Sequence, residues 1–349
     1  VTPATIPASW SARLLALLAI VGLVAAGCGT GDDDGAPTDA SGEATVEATD
    51  GGDDDTPTDG SGDDDTPTDG SGDATPGEGS GFPVEVDSAA GTVTVPERPE
   101  AIVSLSPTAT EMLFAIGAGD RVVAVDQFSN YPPEAPAGSL DGFNPDLEAI
   151  LATGPDLVVT QGLPPDIEAG LVAAGTVVLT QPPASSFDDT YDQMAELGLA
   201  TGEVDGAAEA NASLRADVEG VLASLPRPDS PVRVFHEIDD SFYTASSNSF
   251  IGQVYAEMGF ENVADALDDG SGYPLVDGES IIAADPTLIV YTDQVGYGAD
   301  EISARPGWET MTAVAQGNLV QVDADVASRW GPRIVEFMEA IAAALLVDG

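Results

Sequence analysis

The chain contains no lysine. Its 349 residues carry nine arginines against 61 aspartates and glutamates, a formal net charge of −52, so phosphate backbones and anionic lipid surfaces are poor partners. Histidine and cysteine occur once each, as His236 and Cys28. A single cysteine rules out an internal disulfide, and a single histidine leaves no cluster of ligands for free zinc or manganese. There is no Gly-x-Ser-x-Gly elbow, and no histidine besides His236 to complete a nucleophile triad. Paired carboxylates are plentiful but carry no motif. Glycine-rich stretches such as 270–273 lack the strand, spacing and lysine of a phosphate loop. Enzyme chemistry is therefore not expected, and a tethered hydrolase stands as an alternative without a motif behind it.

What is present is a repeat. Glu148-Ala-Ile-Leu-Ala-Thr-Gly-Pro-Asp-Leu-Val-Val159 returns 131 positions later as Glu279-Ser-Ile-Ile-Ala-Ala-Asp-Pro-Thr-Leu-Ile-Val290. Each copy reads as a short helix stopped by proline and followed by an apolar run of the kind that makes a buried parallel strand. Each glutamate stands in a first helical turn, where a carboxylate suits the helix dipole, just past a capping residue: Asn144, with Pro145 next, in one copy and Asp277 in the other. Two similar α/β lobes are expected, with one equivalent carboxylate on each, as a two-fold partner would require.

Near the N-terminus, Arg13 precedes an apolar run from Leu14 to Val24, too short to span a bilayer securely. It leads into Ala25-Ala26-Gly27-Cys28, which resembles a lipobox, so Cys28 is expected to carry a lipid and to anchor an exported chain at the outer face of the cytoplasmic membrane. From Gly29 to Gly81 there is neither an aromatic nor a basic residue, and a decapeptide beginning Gly52-Asp-Asp-Asp repeats without change from Gly62. With little apolar surface to offset its ordering entropy, this segment is expected to be a disordered acidic tether, roughly 40 Å end to end. Its aspartate triplets lack the ligand spacing of a calcium loop. An acidity this strong suits a salty medium, where ions screen self-repulsion.

Alternating strands and helices follow. Strands are expected at 101–105, 121–125, 157–161 and 176–180, with a helix at 108–116 capped by a Thr108 and Glu111 box. A helical region runs from 187 to 225, broken near Gly202, and its second part is about 33 Å long, enough to bridge two lobes. Further strands at 232–238 and 318–322, the repeated helix-strand unit at 279–292, and helices at 249–259 and 332–346, make the second lobe. The divisions are thus a signal segment at 1–28, the tether at 29–81, a first lobe at 82–200, the bridging helix at 201–228 and a second lobe at 229–349. The fold class is α/β, with two Rossmann-like lobes of mainly parallel sheet.

Four segments carry a more specific likeness: Arg98-Pro-Glu-Ala-Ile-Val-Ser-Leu-Ser-Pro-Thr-Ala-Thr-Glu111, Asp126-Gln-Phe-Ser-Asn-Tyr-Pro-Pro-Glu134, Gly142-Phe-Asn-Pro-Asp-Leu-Glu148 and Ala327-Ser-Arg-Trp-Gly-Pro-Arg333. In order and spacing they resemble the helical-backbone class of ABC-importer substrate-binding proteins, which take up cobalamin, ferric siderophores and haem. The resemblance covers residues 95–347. It implies a monomer with no chemistry of its own, whose two lobes hold ligand in the cleft between them and deliver it to a permease and ATPase complex. By the same resemblance Glu148 and Glu279 match the glutamates that dock onto permease arginines. A small hinge amplitude is expected from the bridging helix.

Aromatics and amides near strand ends supply cleft candidates: Gln127, Phe128 and Tyr131 in the first lobe, with Phe242, Tyr243 and Tyr273 in the second. Tyr131 matches a cleft tyrosine of the cobalamin binders, and Asp325 and Arg329 match polar cleft positions. Arg329 can meet a ligand oxygen or pair with Asp325 instead. Where cobalamin binders place tryptophans, this chain has Leu140, a Gly162-Leu163 loop and Val326, with Trp330 close by. Cobalamin leads, a ferric siderophore or haem is the alternative, and a scavenger without a permease is a third class. His236 is expected to be a hydrogen-bonded structural residue and Trp308 a core residue.

Overall fold

The computed structural model describes residues 81–226, 228 and 230–346. The apolar leader, Cys28 and the acidic repeats lie outside the described residues. A hairpin of β1 (Val84–Val86) and β2 (Val93–Val95) opens the described part. The first sheet is built from β3 (Ile102–Leu105), α1 (Pro107–Ala115), β4 (Val122–Val125), α2 (Leu147–Ala152), β5 (Leu157–Thr160), α3 (Pro165–Ala173) and β6 (Val177–Thr180). Its strands are all parallel, in the order β4-β3-β5-β6. Every residue of β3 and β5 is buried, as a strand covered by helices on both faces requires.

Two helices follow, α4 (Phe187–Thr201) and α5 (Val204–Ser224), separated where Gly202 takes the left-handed conformation at φ 74°. The second sheet comprises β7 (Arg233–Glu237), α6 (Phe250–Glu257), β8 (Glu261–Asn262), α7 (Gly278–Ala284), β9 (Leu288–Thr292), α8 (Ala299–Ser303), α9 (Thr312–Gln316), β10 (Leu319–Val322), α10 (Ala324–Ser328) and α11 (Ile334–Leu346). Its order is β10-β9-β7-β8, again all parallel. In each sheet the first strand lies between the second and the third, so β3, β4, β5 and β6 correspond to β7, β8, β9 and β10. The two copies of the repeat therefore fall on equivalent units, α2 with β5 and α7 with β9.

The long helix α5 packs on α1 and α4 of the first lobe and on α11 of the second. Leu214, Val218 and Val221 belong to a core that continues from Met112 and Leu197 on one side to Phe337 and Ile341 on the other. Each such buried aliphatic side chain contributes about 1.5–3 kcal/mol. Each sheet buries its opposite face in a smaller cluster, around Val103, Ile150 and Val158 in the first lobe and around Phe235, Ile289 and Trp308 in the second. Trp308 is thus a core residue, 2% exposed. The approach of α5 to α1 needs Gly206, where a Cβ would stand 2.0 Å from the Ile116 carbonyl oxygen.

Two expected caps are corrected. Ser106, not Thr108, caps α1 by accepting the Ala109 amide, with Pro107 at the first helical position. Thr108 and Glu111 are both buried inside the helix. Asp146, not Asn144, caps α2 by accepting the Ala149 amide at 2.8 Å. Asp277 caps α7 as expected, accepting from the Ser280 amide at 2.9 Å.

Candidate functional site

The parallel strands of both sheets end at one crevice. Thr108 follows β3, Asp126 and Phe128 follow β4, Gln161 follows β5, Ile238 follows β7 and Gln294 follows β9, and all line it. It is open to solvent, and its non-protein space, solvent at the mouth included, comes to about 1460 Å³. Crevices at the carboxyl ends of parallel strands are the usual ligand sites of such sheets.

Of the residues singled out in the sequence, Phe128, Tyr273, Asp325, Arg329 and Trp330 line this crevice. Gln127, Tyr131, Phe242 and Tyr243 lie outside the lining, and Phe242 stands instead at a separate surface recess beside Glu279. The Gln127 side chain turns back on its own lobe, donating to Asp141 and accepting the Gly142 amide at 2.9 Å. Tyr131 is 38% exposed, with the Arg333 guanidinium 4.0 Å from its ring centroid. Tyr243 pairs by a β-bridge with Leu275. Phe143 and Gln161 line the crevice without having been singled out. Phe143 meets Phe128 edge to face, centroids 4.8 Å apart at 66°, so the pair forms one broad aromatic wall.

Arg329 is the focus of a buried polar cluster that joins the lobes. Its guanidinium donates to Glu111 of α1 at 2.7 Å, to Asn130 at 2.9 Å and to the Phe128 carbonyl at 3.1 Å, and it pairs with Asp325 at 3.0 Å. Asn130 closes the ring by donating to Asp325 at 2.7 Å. The Arg329 and Glu111 side chains are 6% and 2% exposed. Burial pushes the Glu111 carboxyl above the usual range, and Arg329 opposes the shift. Of the two sequence readings of Arg329, the pair with Asp325 is formed, and Glu111 is the nearer partner. Trp330 donates its indole N–H to Gln193 at 2.9 Å, which fixes its ring against the crevice.

Asp126 is 2% exposed and accepts the Phe128 and Ser129 amides at 2.9 Å each. Burial raises its carboxyl above the ordinary value. Among the described lining residues Arg329 carries the one guanidinium, and its charge is already matched.

His236 reaches the same crevice from β7. Its Nδ1 lies 2.7 Å from the Tyr255 hydroxyl, while Nε2 is buried with no partner among the described residues. Burial lowers its pKa to about 4 from 6.5. A depressed histidine stabilises the fold fully above about pH 6.5 and loses that contribution as pH falls toward 4. The loss amounts to about 3 kcal/mol. Urea unfolding at pH 7 and pH 4.5 is expected to show a pH-dependent drop that shrinks by most of that amount in His236→Phe, and equal drops in both proteins would contradict the assignment.

Glu148 and Glu279 are exposed in the first turns of α2 and α7. Neither forms an ion pair with a described residue. No group of metal-ligating side chains occurs among the described residues.

A model of the family described as periplasmic binding protein matches residues 102–326. An uncharacterized ABC transporter substrate-binding lipoprotein of Bacillus subtilis is 31% identical over 277 residues, covering 76% of this chain and 87% of its own. A cobalamin-binding protein of Halobacterium salinarum is 32% identical over 276 residues, 75% of this chain and 73% of that one. Among solved structures, a protein of an ABC-type Fe3+-hydroxamate transport system from Saccharomonospora viridis aligns with a TM-score of 0.59 at 26% identity, covering 75% of this chain and 99% of that chain.

Proposed function

Since this chain belongs to the periplasmic binding protein family, we propose that it is the lipid-anchored receptor of an ABC importer for cobalamin, held at the membrane through Cys28. It binds its ligand without transforming it. The observation that carries the ligand assignment is the crevice itself: an open space with aromatic walls from both lobes and no unmatched cation among its described lining residues. A corrin is broad, flat and rimmed with neutral amides. Phe128, Phe143, Tyr273 and Trp330 supply apolar faces, and Gln161, Gln294 and Ser328 stand among them as donors and acceptors for amides. These aromatics take the place of the tryptophans absent at Leu140, Leu163 and Val326.

The same charge balance disfavours anionic chelates. Ferric catecholates are multiply anionic, and haem carries carboxylates. Either would bring uncompensated charge to a crevice whose carboxylates, Asp126 and Asp325, already equal or exceed its one guanidinium. Neutral or cationic ferric hydroxamates meet no such penalty, and the Fe3+-hydroxamate relative makes them the second reading.

Uptake of labelled cyanocobalamin by source cells, with and without this gene, tests the assignment. Loss of most uptake at nanomolar substrate, restored by the intact gene, is expected. Equal uptake in the two strains, with labelled ferric hydroxamate uptake lost instead, would move the ligand to the second reading.

A further inference from the structure

The two lobes are built on one repeat, yet the surface beside their exposed glutamates differs. The residue before Glu148 is Leu147, and the residue before Glu279 is Gly278. Leu147 is half-buried and packs so tightly against α3 that a Cβ on Gly170 would stand 2.4 Å from its side chain. At Gly278 there is no side chain, and a surface socket opens beside Glu279, walled by Phe242, Ile282, Pro306 and Trp308.

The interior of this socket is apolar and electrically matched. Arg305 reaches it, but donates to both oxygens of the fully buried Glu237 at 2.6 and 2.8 Å. The Tyr297 hydroxyl donates to the same carboxylate. Exposed Asp277 and Glu279 stand at the rim. The indole N–H of Trp308 has no hydrogen-bond partner among the described residues, and the empty Cβ position of Gly278 lies 3.8 Å from that nitrogen. Phe242, stacked on Trp308 with centroids 5.7 Å apart at 29°, holds its place at φ 68°, a conformation that costs a bulky residue about 1 kcal/mol or more.

We propose that this socket is an asymmetric docking site for the membrane permease: a permease loop pairs a basic side chain with Glu279 and seats a neighbouring apolar side chain in the space beside Gly278, against Phe242 and Ile282. The rim selects positive charge and the interior selects an uncharged group. The first lobe, with Leu147 filling the corresponding position, offers a carboxylate alone. The docked complex is therefore asymmetric: one half of the permease meets a carboxylate with a socket beside it, and the other half meets a carboxylate alone. The inference rests on the importer reading and extends it.

Gly278→Leu gives the second lobe the first lobe's residue. Gly278 does not occupy the left-handed region and its Cβ would make ordinary 3.7–4.0 Å contacts, so the variant fills the socket without straining the backbone. Phe242→Gly removes a wall while relieving the backbone, and decides the matter if Gly278→Leu fails to fold. Both are expressed as full chains in source cells lacking the gene, and cyanocobalamin uptake is read beside ligand affinity and thermal stability of the purified proteins. Uptake is expected to fall about fivefold or more with affinity unchanged, as loss of one central contact implies. Uptake equal to the unaltered protein in a folded variant would overturn the socket. If the Glu148→Ala, Glu279→Ala protein loses uptake in the same cells, the socket alone falls; if it too transports normally, the docking reading falls with it.

Discussion

Replacing Glu148 and Glu279 together with alanine is expected to lower uptake at least tenfold while leaving ligand affinity within twofold of the unaltered protein. Both side chains are exposed, in the first turns of equivalent helices, and outside the crevice lining. Neither is needed by a described counter-ion, so their removal leaves no buried charge behind and little effect on stability. Facing arginines of a permease would instead lose their partners in a desolvated contact, which costs about 2–5 kcal/mol per pair. Each single variant should retain part of the activity. The readouts are uptake in cells and equilibrium titration of the purified protein. Normal uptake by the double variant, with normal affinity, would leave the importer role without its docking surface.

Arg329→Ala is expected to be the most destabilising substitution in the crevice. It removes the nearer counter-ion of Glu111, leaving that carboxylate 2% exposed with Arg333, at 3.6 Å, its remaining cation among the described residues. It also strips Asn130, Asp325 and the Phe128 carbonyl of a donor. Breaking a buried pair by removing one partner costs about 3–5 kcal/mol, whereas replacing both partners by apolar side chains of similar size is often neutral. Urea unfolding should therefore show a large loss for Arg329→Ala and a much smaller one for the paired Glu111→Met, Arg329→Met protein. Because the cluster joins α1 of one lobe to the segment after α10 in the other, ligand affinity should fall with stability. A loss below about 1 kcal/mol for Arg329→Ala would contradict this role for the cluster.

Much of the architecture was legible before any coordinates because the chain states it twice. The twelve-residue repeat carries the helix, the proline stop and the buried strand, and the two sheets place those copies at equivalent positions. The caps were harder. Thr108 and Glu111 have capping-box spacing, but Ser106 followed by Pro107 satisfies the same amides one turn earlier, which frees Glu111 to meet an arginine 218 residues away. Nothing in local spacing encodes that partner.

The crevice was legible by residue type more than by direction. Strand ends pointed to Phe128 and to Tyr273, yet Gln127 and Phe128 are neighbours in a turn, where no periodicity says which side chain faces inward. The fold turns Phe128 in and Gln127 back toward Asp141. Phe143 stood in a quoted motif and was passed over, since its value as a wall depends on its edge-to-face contact with Phe128. Two small signals lay in view throughout: the single histidine, which the fold buries at the crevice, and the exchange of leucine for glycine ahead of the repeated glutamate.

Titration of the intrinsic tryptophan fluorescence with cyanocobalamin, corrected for absorption by the ligand, tests the central claim most directly. Trp330 lines the crevice and the two lobes make one site, so saturable one-to-one quenching is expected, with ferric hydroxamate weaker and ferric catecholate and haemin weaker still. Saturation by an anionic chelate in preference to cobalamin would contradict both the ligand assignment and the charge argument beneath it.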